Sequence, residues 1–159
     1  PASPVARSDG LEFVDGKLLG IAKYSLMSFA ADVLGIAPVP VVDAAGRAVI
    51  NFACYDAPQV WMIQTGGWTL VFEGYSAEEA IVSNWIYVGG PAAGYTAIVA
   101  PGGIRIGDSR SAVEAANPAL YDLGDEIWAY SKFVLRYGIE SGNVDWFGVI
   151  DCLFETAGD

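Results

Sequence analysis

Apolar positions along this chain recur with two different periods. Over 25–35, "SLMSFAADVLG", residues Leu26, Phe29, Ala30, Val33 and Leu34 fall at helical spacing. Ser25 is placed to cap the first turn, and Gly35 to end the helix in the left-handed region. Pro38 and Pro40 forbid continuation. A second helix is predicted over 109–116, "SRSAVEAA", stopped by Asn117-Pro118. Elsewhere Val, Ile, Trp, Tyr and Phe dominate, as half-buried strands require. The strand candidates are "RAVINFACY" at 47–55, "QVWMIQT" at 59–65 and "WTLVFEG" at 68–74, with a turn or sharp bend at Gly66-Gly67. "VSNWIYVG" at 82–89, "IWAYSKFVLRYG" at 127–138 and "VDWFGVIDCLFE" at 144–155 follow. The last alternates less cleanly, which predicts burial on both faces or a bend at Gly148.

The two predicted helices sit in matching surroundings. Pairing Ser25 with Ser109 puts a glycine-containing apolar approach before each helix, and a loop and an alternating strand after it. Trp68, Leu70 and Phe72 then match Phe133, Leu135 and Tyr137, and Val82 matches Val144. The expected fold is α+β: two helix-plus-antiparallel-meander repeats forming a sheet with short helices packed on one face. The first repeat is placed at 11–91 and the second at 92–159, as one compact unit. Residues 1–10, "PASPVARSDG", are rich in Pro, Ala and Ser and lack periodicity. They read as a flexible leader left after a removed signal segment.

The second repeat opens on "GGIRIGDSRSAVEAA". A phosphate loop would need Gly-x-x-x-x-Gly-Lys-Ser/Thr, whereas Asp108 follows Gly107 and repels phosphate. The stretch therefore reads as a strand-to-helix joint. Gly107 allows the turn, Asp108 or Ser109 caps the helix, and Ser111 with Glu114 offers an alternative capping box. "GIRIGDSRSAVEAA" and "TGGWTLVFEG" resemble segments of exported actinobacterial proteins. They are similar to the beta-lactamase inhibitor protein-like fold and to the related BamE (SmpA)-like lipoprotein domain, over about 11–155. The resemblance implies helices against an antiparallel sheet, often in tandem, and an extracytoplasmic location. It assigns no single activity, because the fold hosts inhibitors and assembly factors alike. The chain departs from the pattern in having "IAKYS" where the second half has "IGDS", and in having two cysteines where the inhibitor has two disulfides. No inhibitory residue carries over.

Composition narrows the reading. The chain has 159 residues, of which 53% are hydrophobic and 17% charged, well below the ~25% charged typical of soluble domains. No run of ~18 apolar residues occurs, so no transmembrane segment is expected. A net charge of −11 argues against nucleic acid and anionic membrane surfaces and favours a basic protein, a neutral ligand or a cation. There is no histidine, which removes the commonest general base and transition-metal ligand. Cys54 and Cys152 are either one disulfide or two buried thiols. Scarce Lys, abundant Gly, Ala and aromatics, and a first residue other than Met point to a processed, exported protein. The disulfide is the expected state in that compartment.

The candidate chemistry is correspondingly sparse. Asp122, Asp125 and Glu126, or Glu140 and Asp145, are possible carboxylate pairs, but their loop-like contexts read as solvated surface. "YDLGDE" holds only part of a calcium-loop pattern. Without His, a serine nucleophile needs Lys, and adjacent Ser131 and Lys132 would point to opposite faces of a strand. Cys152 beside Asp151 is better suited to structure than to attack. No catalytic residue, metal or cofactor is expected. Aromatics are the remaining resource: Trp61, Trp68, Trp85, Tyr87, Trp128, Tyr130, Tyr137 and Trp146 are the candidates for an uncovered, acid-rimmed sheet face, unless most are core. The expected function is an exported, non-enzymatic binding module for a protein or envelope partner. A binder of small apolar or carbohydrate ligands, an accessory subunit of an extracellular assembly and a carboxylate hydrolase are the alternatives.

Overall fold

A computed structural model describes residues 10–42, 45, 59–117, 119–130 and 134–150. Short strands β1 (Leu11–Glu12), β2 (Lys17–Leu18) and β3 (Ile21–Ala22) lead into helix α1 (Met27–Leu34). The strands β4 (Val39–Pro40), β5 (Gln59–Thr65), β6 (Trp68–Gly74) and β7 (Ile81–Tyr87) follow. Then come β8 (Ile98–Val99), a 3₁₀ turn at Pro101–Gly103 and helix α2 (Arg110–Ala116). Strands β9 (Leu120–Asp122), β10 (Glu126–Tyr130), β11 (Val134–Gly138) and β12 (Trp146–Ile150) complete the set.

Eight of these strands form one antiparallel sheet in the order β4-β5-β6-β7-β12-β11-β10-β9. Four consecutive strands run inward from each edge, and the last strand of each run meets the other at the centre. The β7–β12 seam pairs Phe147 with Tyr87, Gly148 with Ile86 and Val149 with Trp85. β1 pairs in parallel with β8, tying the first residues of the described chain to its middle.

Cross-strand register assigns the faces. Trp61, Ile63, Trp68, Leu70, Phe72, Val82, Trp85, Tyr87, Phe147, Tyr137 and Ile127 stand opposite one another on one face and are buried. Met27 and Ala30 of α1, Val113 of α2, and Leu11, Phe13, Ile98 and Ile104 join the same core. Trp85 is its hub: Phe13, Trp68 and Phe147 approach its ring edge-on at centroid distances of 5.6, 6.2 and 6.4 Å. Such pairs contribute ~0.5–1.5 kcal/mol each beyond the area they bury.

The polar pair in "VSNWIYV" has a structural cause. The register shifts between Val71 and Phe72, so Val71 opposes Asn84 while Phe72 opposes Val82. Ser83 is the extra residue of a β-bulge, which lets Val82 and Trp85 both face the core despite their odd spacing. Buried Ser83 donates its hydroxyl to the Val71 carbonyl at 3.3 Å, and Asn84 donates to Ser83 Oγ at 3.1 Å.

Several expectations need correction. Ser25 does not cap α1. Its hydroxyl accepts from the Ala22 N–H at 3.0 Å, and Leu26 occupies the cap position. The helix is also rotated from the predicted face: Met27 and Ala30 are buried, while Leu26, Phe29 and Val33 are exposed. Backbone bonds to β7 fix that rotation, from Tyr24 N–H to the Val82 carbonyl, from Val82 N–H to Ser25 and from Met27 N–H to Ala80. Gly35 ends α1 with φ of 67°, as expected. At α2, Ser109 accepts from Ala112 N–H at 3.2 Å, while Asp108 accepts from Arg105 N–H at 2.8 Å and closes the preceding turn. The stretch 127–138 is not one strand, because Tyr130 pairs with Val134 and the two parts form antiparallel β10 and β11. The strand predicted at 47–55 and the leader up to residue 9 lie outside the described residues.

Burial on both faces, rather than a bend, accounts for the irregular pattern of β12, since Phe147 to Ile150 are all buried. Gly148 permits the seam itself: a Cβ there would stand 2.2 Å from the Trp85 carbonyl oxygen. At Gly138 a Cβ would meet Trp146 Nε1 at 1.9 Å, a side chain that can swing aside. Gly148→Ala is therefore expected to destabilise by at least ~1–3 kcal/mol, and Gly138→Ala by less. Urea denaturation midpoints check the order, and an equal or milder effect at Gly148 would contradict the close approach.

Candidate functional site

The eight aromatic candidates separate into two groups. Trp61, Trp68, Trp85, Tyr87 and Tyr137 are buried in the core, so the expectation that they stand on an open face is corrected. The reason is alternation: each shares the face that the helices and β1–β3 cover. Trp128 and Trp146 lie on the second face and are partly exposed. Tyr130 is placed by its backbone register opposite Val134.

Two adjacent rows build the second face in the β9–β12 half. One runs Gly148, Arg136, Trp128, Tyr121 across four strands, and the next runs Trp146, Gly138, Glu126 across three. Each row holds one glycine beside larger groups. The Trp146 indole lies on Gly138, where a side chain would collide with it. The Arg136 guanidinium sits 4.1 Å from the centre of the Trp128 ring, and Tyr121 packs on Trp128 with centroids 6.4 Å apart. Arg136 is buried, and its Nε lies 3.7 Å from Glu126 Oε1, an ion pair too long for a hydrogen bond. Tyr121 is 56% exposed and forms the open edge of the group.

Acidic loops border this platform. In the β9–β10 turn, Asp122 accepts from Gly124 N–H at 2.8 Å and from Arg110 Nη1 at 2.7 Å. These bonds, the Gly124 one foremost, hold its carboxyl below the usual value. In the β11–β12 turn, Asp145 accepts from the Ser141 hydroxyl and from Ser141 N–H at 3.0 Å, which depresses its pKa likewise. Asp125 and Glu140 are exposed beside them. Asp122, from the partial calcium-loop pattern, is thus occupied by Arg110 and its own turn.

Sequence reasoning missed Tyr121 and Arg136. The available signal for Arg136 was its position between Leu135 and Tyr137, since alternation turns it away from whichever face those two share. Cys54, Cys152, Ser131, Lys132 and Phe133 lie outside the described residues. Among the described residues no helix is long and apolar enough to cross a membrane. Compared with family models, curated proteins and solved structures, the chain matches none.

Beneath the platform, burial pushes the Tyr137 phenol up to about 12 and also raises Tyr87, whose hydroxyl donates to the Gly90 carbonyl. A raised folded-state pKa means that the neutral phenol favours the fold fully below pH 10, and that this support disappears as pH rises toward 12. Part of the phenolate absorbance is therefore expected to develop only as pH approaches about 12, together with alkaline unfolding. In Tyr137→Phe that late part should shrink; its absence from the folded parent would contradict the burial.

Proposed function

We propose that this chain is an exported, non-enzymatic binding module that engages a basic protein partner through the second sheet face of its β9–β12 half. The observation that carries this reading is the aromatic platform. Tyr121, Trp128 and Trp146 are partly open, Trp128 stacked between Arg136 and Tyr121 and Trp146 lying on Gly138, and they are bordered by Asp122, Asp125, Glu140 and Asp145. Preorganised aromatics lose little side-chain freedom on binding, which is why they so often act as anchors. The acidic border would raise the association rate of a cationic partner.

The internal repeat belongs to this proposal. Each half is a helix followed by four meandering strands, and the same contacts recur before both helices. Tyr24 and Ser25 bracket Val82 with two backbone bonds, and Gly107 and Asp108 bracket Val144 in the same way. The isolated bridges Leu26 to Ile81 and Ser109 to Asn143 repeat the correspondence. These parallels support a duplication split as 11–91 and 92–159. We propose, with it, kinship with the beta-lactamase inhibitor protein-like and BamE-like folds and their extracytoplasmic location.

Two measurements test the reading. The first is capture of partners from the native secreted fraction by the parent and by Tyr121→Ala/Trp128→Ala. The double variant is expected to lose at least ~2 kcal/mol, about thirtyfold in Kd, for a partner held by this face. Asp125→Asn/Glu140→Gln should instead slow association and flatten its salt dependence. Capture that both variants leave unchanged would exclude the platform. The second is intact mass after alkylation with and without reduction. One Cys54–Cys152 disulfide is expected, and two alkylated thiols without reductant would overturn the export reading.

A further inference from the structure

A second surface lies on the other side of the sheet, where α1 meets the β6–β7 turn and the segment leading into β4. An open depression of about 370 Å³ is lined there by Met27, Ser28, Ala31, Asp32, Pro38, Ala77 and Glu78. Met27, Ala31, Pro38 and Ala77 supply an apolar floor of small or unbranched groups. Asp32 on the helix and Glu78 on the turn are both exposed, one on each wall. Among the described residues that line the groove none is basic, and the chain as a whole carries a net charge of −11.

We infer that this groove docks a short cationic segment of a partner protein, one apolar side chain seated between Ala31, Pro38 and Ala77 and flanking Lys or Arg reaching Asp32 and Glu78. Charge selects the occupant. An acidic or neutral segment would bring no counter-charge to the two carboxylates, and a purely polar cation would leave the floor unfilled. Backbone bonds from α1 to β7 hold the helical wall, so the groove is preformed: Met27 N–H donates to Ala80 carbonyl at 2.8 Å, and Ala80 N–H donates to Ser76 at 3.0 Å. Preformation lowers the ordering cost that a short segment must meet. Because α1 packs on the core face while Tyr121 and Trp128 occupy the opposite one, the groove and the platform can be filled at once. The inference stands apart from the platform reading, and the chain would then bridge two basic segments.

The test uses three acetylated, amidated peptides against the full chain: Lys-Arg-Leu-Leu-Lys-Arg, its Ser-Ser counterpart and Glu-Asp-Leu-Leu-Asp-Glu. Backbone amide shifts are recorded at low and moderate salt. The cationic leucine peptide should shift the amides of Ser28, Ala31, Asp32, Ala77 and Glu78 in a saturable way, at least tenfold more tightly than either control. Asp32→Asn/Glu78→Gln should weaken it about tenfold, and Ala31→Trp, which fills the floor, should abolish it. Tyr121→Ala/Trp128→Ala should leave it unchanged, which separates this surface from the platform. Equal response to the Ser-Ser peptide, shifts spread over the whole acidic surface, or no response would overturn the proposal.

Discussion

The pairing of β7 with β12 is the constraint on which the rest of the molecule depends. Each half of the sheet is a run of four strands consecutive in the sequence, each paired antiparallel with the next. Within the sheet the two runs meet at this seam, at the centre, where Trp85, Tyr87, Phe147 and Val149 come together. Gly148 sets the closeness of that approach, because its missing side chain leaves room for the Trp85 carbonyl. The aromatic hub around Trp85 then spans both halves, so neither half has a complete core without the other. β1 adds a second tie across the halves by pairing with β8.

The seam also explains why most aromatics are internal. A broad sheet covered on one side by short helices and by β1–β3 needs bulky groups to fill the layer between them. Trp68, Trp85, Tyr87, Phe72 and Tyr137 serve that purpose, and their burial leaves far fewer rings for contact than the raw count promises. On the second face of the β9–β12 half Tyr121, Trp128 and Trp146 remain open, and each of the two rows that carry them includes a glycine, Gly148 or Gly138. That coincidence is geometric: a glycine leaves a flat floor on which an indole can lie, as Trp146 does on Gly138.

The strands at 59–65 and 68–74 were legible because strict alternation and strong β-formers agree with the Gly66-Gly67 turn between them. The stop of α1 at Gly35 and the start of α2 at Ser109 were legible for the same reason, since one residue type suits one backbone need. What was hidden depended on partners distant in sequence. Ser25 looked like a cap, but bonds from its backbone to Val82 place it before the helix and turn its hydroxyl to Ala22. The rotation of α1, which buries Met27 and exposes Phe29, follows from those same bonds. Ser83 reads as an interruption of a strand until its opposition to β6 reveals a bulge. For the candidate site, Trp128 and Trp146 could be named but not separated from Trp85, because face assignment requires register. Arg136 could not be tied to Trp128, because that contact crosses between β10 and β11.

Charge gives the platform its direction. The chain has eight basic residues against nineteen acidic ones. In the β9–β12 half, Arg136 is buried under the plane of Trp128 and faces Glu126, while Arg110 is bound to Asp122 and to the Gly124 carbonyl. These two cations are engaged within the fold and contribute little positive field outward. Asp125 and Glu140, beside the same rings, remain exposed. Among the described residues the charge left unpaired beside these rings is therefore acidic even though an arginine lies at their centre. Arginine here acts as a packing plate, stiffening Trp128 from below. The groove beside α1 reaches the same sign by a simpler route, with acids on both walls and no base among the described residues of its lining. On the proposed reading two surfaces on opposite faces would select the same charge by different means, kept apart by the thickness of the aromatic core.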